Sequence, residues 1–122
     1  MNKILIVEDE DFLIKALKDN LIVEGFTIDT AKDGEEAVKM IGKNKPDLIL
    51  LDLLMPKKDG FYVLEELKKN PKWKSIPVIV LSNLGDETTT KRAMEIGVKD
   101  YLEKSRHPIE EVIKKVKEYL KK

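Results

Sequence analysis

The sequence predicts an α/β fold in which five helices cover a doubly wound, five-stranded parallel sheet. Three short apolar runs, at residues 4–7, 48–51 and 78–81, lack the alternation of a half-exposed strand. Each is therefore interpreted as a strand buried on both faces, which is typical of parallel sheets. Helical patterns separate the runs, as the right-handed crossovers between parallel strands require.

Two weaker strands are predicted at residues 27–31 and 99–102. The first of them begins Thr27-Ile28-Asp29-Thr30 and is more polar than the three central runs. Polar residues are typical of a strand at the edge of a sheet, where one side faces solvent. We therefore expect this strand at an edge.

The first two helices are predicted from their apolar spacing and their ends. The first ends at Gly25, because glycine adopts the left-handed conformation that commonly ends a helix. The second begins after Asp33, and Glu36 three residues later completes a capping pair. Their inward faces carry apolar residues at helical spacing, namely Leu13, Ala16, Leu17 and Leu21 in the first and Ala37, Met40 and Ile41 in the second.

Three further helices follow the third, fourth and fifth strands. The third follows Asp59-Gly60, the fourth is capped by Asp86 and ends near Gly97, and the fifth starts at Pro108, a residue favoured in the first helical turn. Their apolar stripes are Phe61, Leu64 and Leu67 in the third helix and Ile109, Val112, Ile113, Val116 and Leu120 in the fifth.

Composition restricts the class of protein. Residues 1–122 are enough for one domain, and 42% hydrophobic residues can form a core, so intrinsic disorder is excluded. The 23 basic and 23 acidic residues balance, which argues against direct binding to nucleic acid or a membrane surface. The absence of cysteine excludes disulfides, thiol catalysis and cysteine zinc sites. The apolar runs are too short to cross a bilayer, and we expect a cytoplasmic protein.

Polar side chains stand just after four of the predicted strands. In open α/β sheets, ligands bind beyond the carboxyl ends of the strands, so these residues are expected to share one site. They are Glu8-Asp9-Glu10-Asp11 after the first strand, Asp52 after the third, Ser82-Asn83 after the fourth and Glu103-Lys104 after the fifth.

The carboxylates of this site favour a metal ion over a nucleotide. A nucleotide site needs a glycine-rich turn after the first strand, whereas four consecutive acids would repel phosphate. Clustered carboxylates suit Mg²⁺. Without a cation Glu8, Asp9 and Asp52 would repel one another, which would raise some of their pKa values. Asp52, at a strand end beside a metal, could accept a phosphoryl group as an aspartyl phosphate, with Lys104 and Ser82 supplying a cation and a hydroxyl.

Five segments in a fixed order carry a resemblance to a known family. They are residues 4–9, 46–52, 55–60 (with Met55-Pro56 and Asp59-Gly60), 77–82 and 97–104. Over essentially its whole length the chain resembles a receiver domain of a two-component response regulator. The resemblance implies a flavodoxin-like strand order of 2-1-3-4-5. It also implies a phosphorylation-controlled signalling protein that is not a turnover enzyme.

The resemblance also implies a role for each site residue. Asp52 would be the phosphoacceptor, taking its phosphoryl group from a sensor histidine kinase, a phosphotransfer protein or a small phosphodonor. Mg²⁺ would be bound by Asp9, Asp52 and the backbone carbonyl of Leu54, while Glu8 would hold a metal-bound water. Lys104 would pair with the phosphoryl oxygens.

The implied output is a change of surface. Ser82 would turn inward to the phosphoryl group and let Tyr101 move into the space that it leaves. This change would alter the face formed by the fourth helix, the fifth strand and the fifth helix, where an output partner of unknown identity binds. Taken alone, Tyr101 is better explained as core or edge packing than as a switch. We expect a monomer and leave dimerisation on phosphorylation open.

Three positions depart from the family pattern. Glu8 stands where many members have Asp, and it should still hold water and metal. Ser105 stands where the family usually has proline after a cis peptide, so we expect a trans peptide and a differently shaped loop at Lys104-Ser105. Leu54 cannot orient a water by hydrogen bonding, from which we hypothesise slow hydrolysis of the phosphoform.

Alternative interpretations differ from this one in the residues that they require. Residues 8–11 alone are typical of a solvated acidic helix start. A pseudo-receiver that binds partners without phosphorylation is expected to lack Asp52, Lys104 or the acidic pair, and all are present. A phosphohydrolase is disfavoured because Leu54 occupies the place of a second acid and no insertion supplies a substrate cap. A receiver excised from a longer regulator stays possible.

Overall fold

The chain alternates strictly between strands and helices. The computed structural model describes residues 2–83 and 87–120. In chain order its elements are β1 (Lys3–Val7), α1 (Asp11–Val23), β2 (Thr27–Ala31), α2 (Gly34–Lys43), β3 (Leu48–Leu51), α3 (Gly60–Lys69), β4 (Val78–Ser82), α4 (Glu87–Ile96), β5 (Asp100–Glu103) and α5 (Ile109–Leu120).

The strands form one parallel sheet in the order β2-β1-β3-β4-β5. This order confirms the predicted doubly wound α/β fold, and it places the polar strand β2 at an edge, as predicted. Helices α2, α3 and α4 pack on one face of the sheet, and α1 and α5 pack on the other. Within the described residues, no helix combines the length and the apolar character that crossing a bilayer requires.

The central strands contribute side chains to both faces of the sheet. Along β1, Ile4 and Ile6 join the core beneath α1 and α5, whereas Leu5 and Val7 join the core beneath α2, α3 and α4. All four are at most 1% exposed. Because successive strand residues point to opposite faces, a strand covered on both sides must be apolar at every position.

The ends of the helices follow the predicted chemistry. Asp33 caps α2 by accepting a hydrogen bond from the backbone N–H of Glu36 at 2.8 Å. Asp59 caps α3 in the same way, accepting from Tyr62 at 3.1 Å. Gly25, beyond the end of α1, has a φ of 96°, a conformation that glycine adopts without steric cost.

The structure corrects three details of the predicted elements. The fourth strand extends one residue further, to Ser82, and the fifth is Asp100–Glu103 rather than residues 99–102, because Ser82 and Glu103 still pair in the ladder. Helix α3 also buries Val63 completely, which its predicted stripe omitted. The predicted cap of the fourth helix, Asp86, lies outside the described residues.

Candidate functional site

Two buried acids stand at the carboxyl ends of neighbouring strands. Glu8 follows β1 and is 2% exposed, and Asp52 follows β3 and is 4% exposed. Both backbones continue the hydrogen bonding of the sheet by one residue, since the N–H of Glu8 donates to Ala31 and that of Asp52 donates to Val7, each at 2.9 Å. This continuation keeps both residues inside the sheet edge, so their side chains enter the site from fixed positions.

A third acid completes a group that could hold a metal ion. Glu8, Asp9 and the carboxylate of Asp52 each offer an oxygen, and these oxygens lie within 4.8 Å of one another. Asp9 is exposed, so the group is open to solvent on that side. Three carboxylate oxygens from one edge of the sheet are the donors that Mg²⁺ prefers, so the residues present fit such an ion.

Lys104 enters the same site from the end of β5. Its backbone N–H donates to the carbonyl of Ser82 at 3.1 Å, which holds the start of the β5–α5 connection against β4. Its ammonium lies 2.9 Å from Oε1 of Glu8 and 3.1 Å from Oδ2 of Asp52. The side chain is only 12% exposed, so the charge is stabilised by these carboxylates more than by water.

Burial and charge shift the pKa values of two groups. Burial, reinforced by the nearby charge of Asp52, raises the pKa of Glu8 to about 7, although the hydrogen bond from Lys104 opposes the shift. Burial alone would lower the pKa of Lys104, but its bonds to Glu10 and Glu8 and the charge of Asp52 outweigh burial and raise it. The expected repulsion within the acidic group is therefore present at Glu8, and Lys104 stays charged at neutral pH.

Asp9, Glu10 and Asp52 line a cavity of about 360 Å³. Leu54 lies on its wall with a side chain that is 62% exposed, and its backbone N–H donates to Oδ1 of Asp52 at 3.2 Å. The cavity is lined by Asp9, Glu10, Asp52, Leu54, Met55, Pro56, Asn83 and Lys104. A small polyanion could therefore reach the Asp52 carboxylate while it contacts an ammonium group.

The remaining predicted residues lie beside the cavity. Ser82 is the last residue of β4 and is fully buried, and Asn83 after it lines the cavity wall. Tyr101 pairs with Val80 in the sheet and packs, half-buried, against the core beneath α2, α3 and α4. Every peptide bond in residues 2–83 and 87–120 is trans, including the one before Ser105.

Sequence reasoning missed a contact of Glu10 and the close packing of two glycines. The sequence pattern groups Glu10 with its acidic neighbours, but its Oε1 lies 2.7 Å from the Lys104 ammonium. A Cβ on Gly60 would lie 2.6 Å from the carbonyl oxygen of Asp52, and one on Gly34 would lie 2.5 Å from that of Lys58. The sequence does carry a signal for the close packing of the two glycines, since each follows a capping aspartate at the start of a helix.

The chain is similar in sequence to known proteins. The family profile of the response regulator receiver domain matches residues 4–117. A probable transcriptional regulator, ycf27 of Guillardia theta, is 39% identical over 108 residues, which are 88% of this chain and 41% of that protein. The chain spans less than half the length of the curated relatives it matches.

Solved structures share the same architecture. The Mn²⁺-bound form of response regulator Rcp1 has a TM-score of 0.88 and 31% identity, covering 98% of this chain and 94% of that one. The phosphorylated cyanobacterial phytochrome response regulator RcpA has a TM-score of 0.86 and 34% identity, covering 97% and 92%. Both resemble this chain over nearly its whole length.

Proposed function

Because the chain belongs to the family of response regulator receiver domains, we propose that it is switched by phosphorylation of Asp52 in the presence of Mg²⁺. Receiver domains are signalling proteins rather than turnover enzymes, and they pair with histidine kinases or phosphotransfer proteins. The observation that carries the proposal is the arrangement around Asp52, which shares a metal-compatible group with Glu8 and Asp9 and lies 3.1 Å from the Lys104 ammonium.

The proposed reaction is a transfer between a donor nitrogen or oxygen and a carboxylate oxygen. The carboxylate of Asp52 attacks the phosphorus of phosphohistidine or of a small acyl phosphate. The new O–P bond forms as the bond from phosphorus to the donor breaks, and its electron pair stays on the donor atom. Positioning and charge neutralisation provide most of the catalysis in such transfers. The Lys104 ammonium, 3.1 Å from Oδ2 of Asp52, would pair with the phosphoryl oxygens.

The metal ligands in this proposal are Asp9, Asp52 and the backbone carbonyl of Leu54, with Glu8 holding a metal-bound water. A bound Mg²⁺ would neutralise part of the negative charge where the dianionic group meets the carboxylates. Receiver domains bind Mg²⁺ or Mn²⁺ at an acidic pocket, and the relative Rcp1 is described in a Mn²⁺-bound form. The relative RcpA is described in a phosphorylated form.

We further propose how phosphorylation reaches the surface. Ser82 would hydrogen-bond the phosphoryl group, and Tyr101 would then move toward the space beside β4. Tyr101 is already half-buried against the core, so a modest change in packing can move it. The face formed by α4, β5 and α5 would then change and bind or release an output partner.

Intact mass after incubation with acetyl phosphate tests the proposal. We expect a gain of one phosphoryl group that requires Mg²⁺ and is lost in Asp52→Ala. Asp19→Ala, which alters an exposed acid on α1 paired with Lys15, is the control and should be phosphorylated like the wild type. Phosphorylation that persists in Asp52→Ala would overturn the assignment of the acceptor.

A second outcome would separate this function from a pseudo-receiver. If acetyl phosphate fails, phosphohistidine on a histidine-containing phosphotransfer protein is used as the donor. Failure with both donors, in a protein whose circular dichroism shows the native fold, would favour partner binding without phosphorylation.

A further inference from the structure

Three carboxylates surround the ammonium of Lys104. Its Nζ donates hydrogen bonds to Oε1 of Glu10 at 2.7 Å, to Oε2 of Glu8 at 3.1 Å and to Oδ2 of Asp52 at 3.1 Å. An ammonium group has three N–H donors, and these three acceptors can occupy all of them. Lys104 must therefore give up one of these partners before it can donate to an incoming anion.

Glu10 differs from the other two acceptors in its exposure. Its side chain is 57% exposed, whereas those of Glu8 and Asp52 are 3% and 4% exposed. Water can replace the lost hydrogen bond at an exposed carboxylate, but a buried one left without its cation is strongly destabilised. Glu10 is thus the partner that Lys104 can release at the lowest cost.

The side chain of Glu10 has no capping role at the start of α1. Glu10 is the N-cap residue of α1, yet its side chain makes no capping hydrogen bond. Ser, Thr, Asp and Asn are preferred at that position because their short side chains reach the free N–H groups of the first turn. The longer side chain of Glu10 instead reaches Lys104, 94 residues further along the chain.

We propose that Glu10 is a positioning residue that competes with the phosphoryl group for Lys104 and so slows phosphorylation of Asp52. The proposal rests on the function proposed above. In the unphosphorylated protein Glu10 occupies one N–H of Lys104. When a donor enters, a phosphoryl oxygen replaces the Glu10 carboxylate, which turns to solvent, while Glu8 keeps its bond to Lys104.

The rate of phosphorylation by acetyl phosphate at saturating Mg²⁺ tests this role. Glu10→Gln keeps the shape of the side chain and removes its charge. Asp11→Asn is the matched control, because Asp11 is a neighbouring carboxylate in the first turn of α1 that pairs with Lys32 instead. An ion pair with one partner more than half exposed is worth little, so we expect Glu10→Gln to react about two- to five-fold faster than Asp11→Asn.

A double-mutant cycle shows whether Glu10 acts through Lys104. We expect a Lys104→Gln background to react more slowly, and in it the advantage of Glu10→Gln over Asp11→Asn should disappear. An advantage that persists in this background would overturn the proposal, because the effect would then be one of charge alone. Rates of Glu10→Gln equal to or below those of Asp11→Asn in the wild-type background would also overturn it.

A measurement without phosphorylation separates this proposal from the function on which it rests. In ¹⁵N-edited NMR of the metal-free protein, Glu10→Gln should speed exchange of the Lys104 ammonium protons with water and shift their resonance, while Asp11→Asn should do neither. If the NMR effect is present but none of the variants is phosphorylated, the proposed function fails and the Glu10 contact stands. If the NMR effect is absent, the competition by Glu10 is overturned.

Discussion

The ammonium of Lys104 lies 3.1 Å from Oδ2 of Asp52, although 52 residues separate the two in the chain. The contact joins the carboxyl ends of β3 and β5 across the intervening strand β4. Both side chains are nearly buried, at 12% and 4% exposure. A buried ion pair contributes little net stability compared with an apolar pair, but loss of one partner leaves the other charge without compensation.

Lys104→Met should therefore destabilise the metal-free protein. We expect a loss of about 1–3 kcal/mol in the free energy of unfolding, below the usual cost of breaking a buried pair because Glu8 can take up a proton. Urea denaturation at pH 7 without Mg²⁺ measures this. Lys18→Met, at an exposed position of α1, is the control and should stay within about 0.5 kcal/mol of the wild type. Equal stability of the two variants would contradict the prediction.

Much of the fold could be predicted because local pattern and tertiary environment agree. The edge strand predicted at residues 27–31 coincides with β2, since its polar residues and its place at the edge have the same cause. The position of β5 was wrong by one residue, because the backbone ladder, not side-chain polarity, decides where Glu103 pairs. The pattern of polar and apolar side chains therefore does not indicate the register of β5.

The position of the candidate site could be predicted from the sequence, but the contacts between its side chains could not. The predicted ends of the strands correctly placed Asp52 and the acidic run at residues 8–11 at one edge of the sheet. They could not separate Glu8, which is buried, from Glu10, which is exposed, because that difference depends on the hydrogen bond of Glu8 to β2. The bond between Glu10 and Lys104 depends on side-chain directions across 94 residues, which no local pattern encodes.

The contribution of Glu8 to the stability of the metal-free protein should fall as pH rises from 4.5 toward 7. Its pKa is about 7 in the folded protein against 4.5 in the unfolded chain, so the folded state binds more protons in this range. The contribution is fully present below pH 4.5 and is lost as pH rises through about 7. A shift of this size corresponds to roughly 3 kcal/mol.

Glu8→Gln provides the comparison that isolates this effect. Urea denaturation at pH 5.5, 6.5 and 7.5 in the presence of a chelator gives the free energy of unfolding of both proteins. The wild type should lose stability relative to Glu8→Gln as pH rises, because glutamine does not titrate. A stability difference that stays constant over these pH values would show that the pKa of Glu8 is not raised.

Gly34→Ala should destabilise the protein although it lies at a helix start. The new Cβ would lie 2.5 Å from the carbonyl oxygen of Lys58, which also accepts the N–H of Gly34 at 2.7 Å. Moving these two backbone segments apart should lower the free energy of unfolding by about 1–3 kcal/mol. Gly42→Ala in α2 is the control: the nearest contact of its Cβ among residues 2–83 and 87–120 would be Trp73 at 3.9 Å, so it should stabilise the helix by about 0.5–1 kcal/mol. Thermal unfolding of both variants measures the difference, and a shift of the same sign in both would refute the argument.

Leu54→Asn should shorten the lifetime of the phosphoform. Leu54 lines the cavity beside Asp52 with a side chain that is 62% exposed, so its substitution should leave the fold intact. Leucine cannot hydrogen-bond a water, whereas asparagine can orient one toward the phosphorus, and we expect hydrolysis to accelerate about three- to ten-fold, less than a true general base provides. Intact mass is followed over time after acetyl phosphate is removed. Leu54→Met keeps an apolar side chain and should decay like the wild type. If the wild type decays as fast as Leu54→Asn, the slow hydrolysis attributed to Leu54 is wrong, and water reaches the phosphoryl group without help from this position.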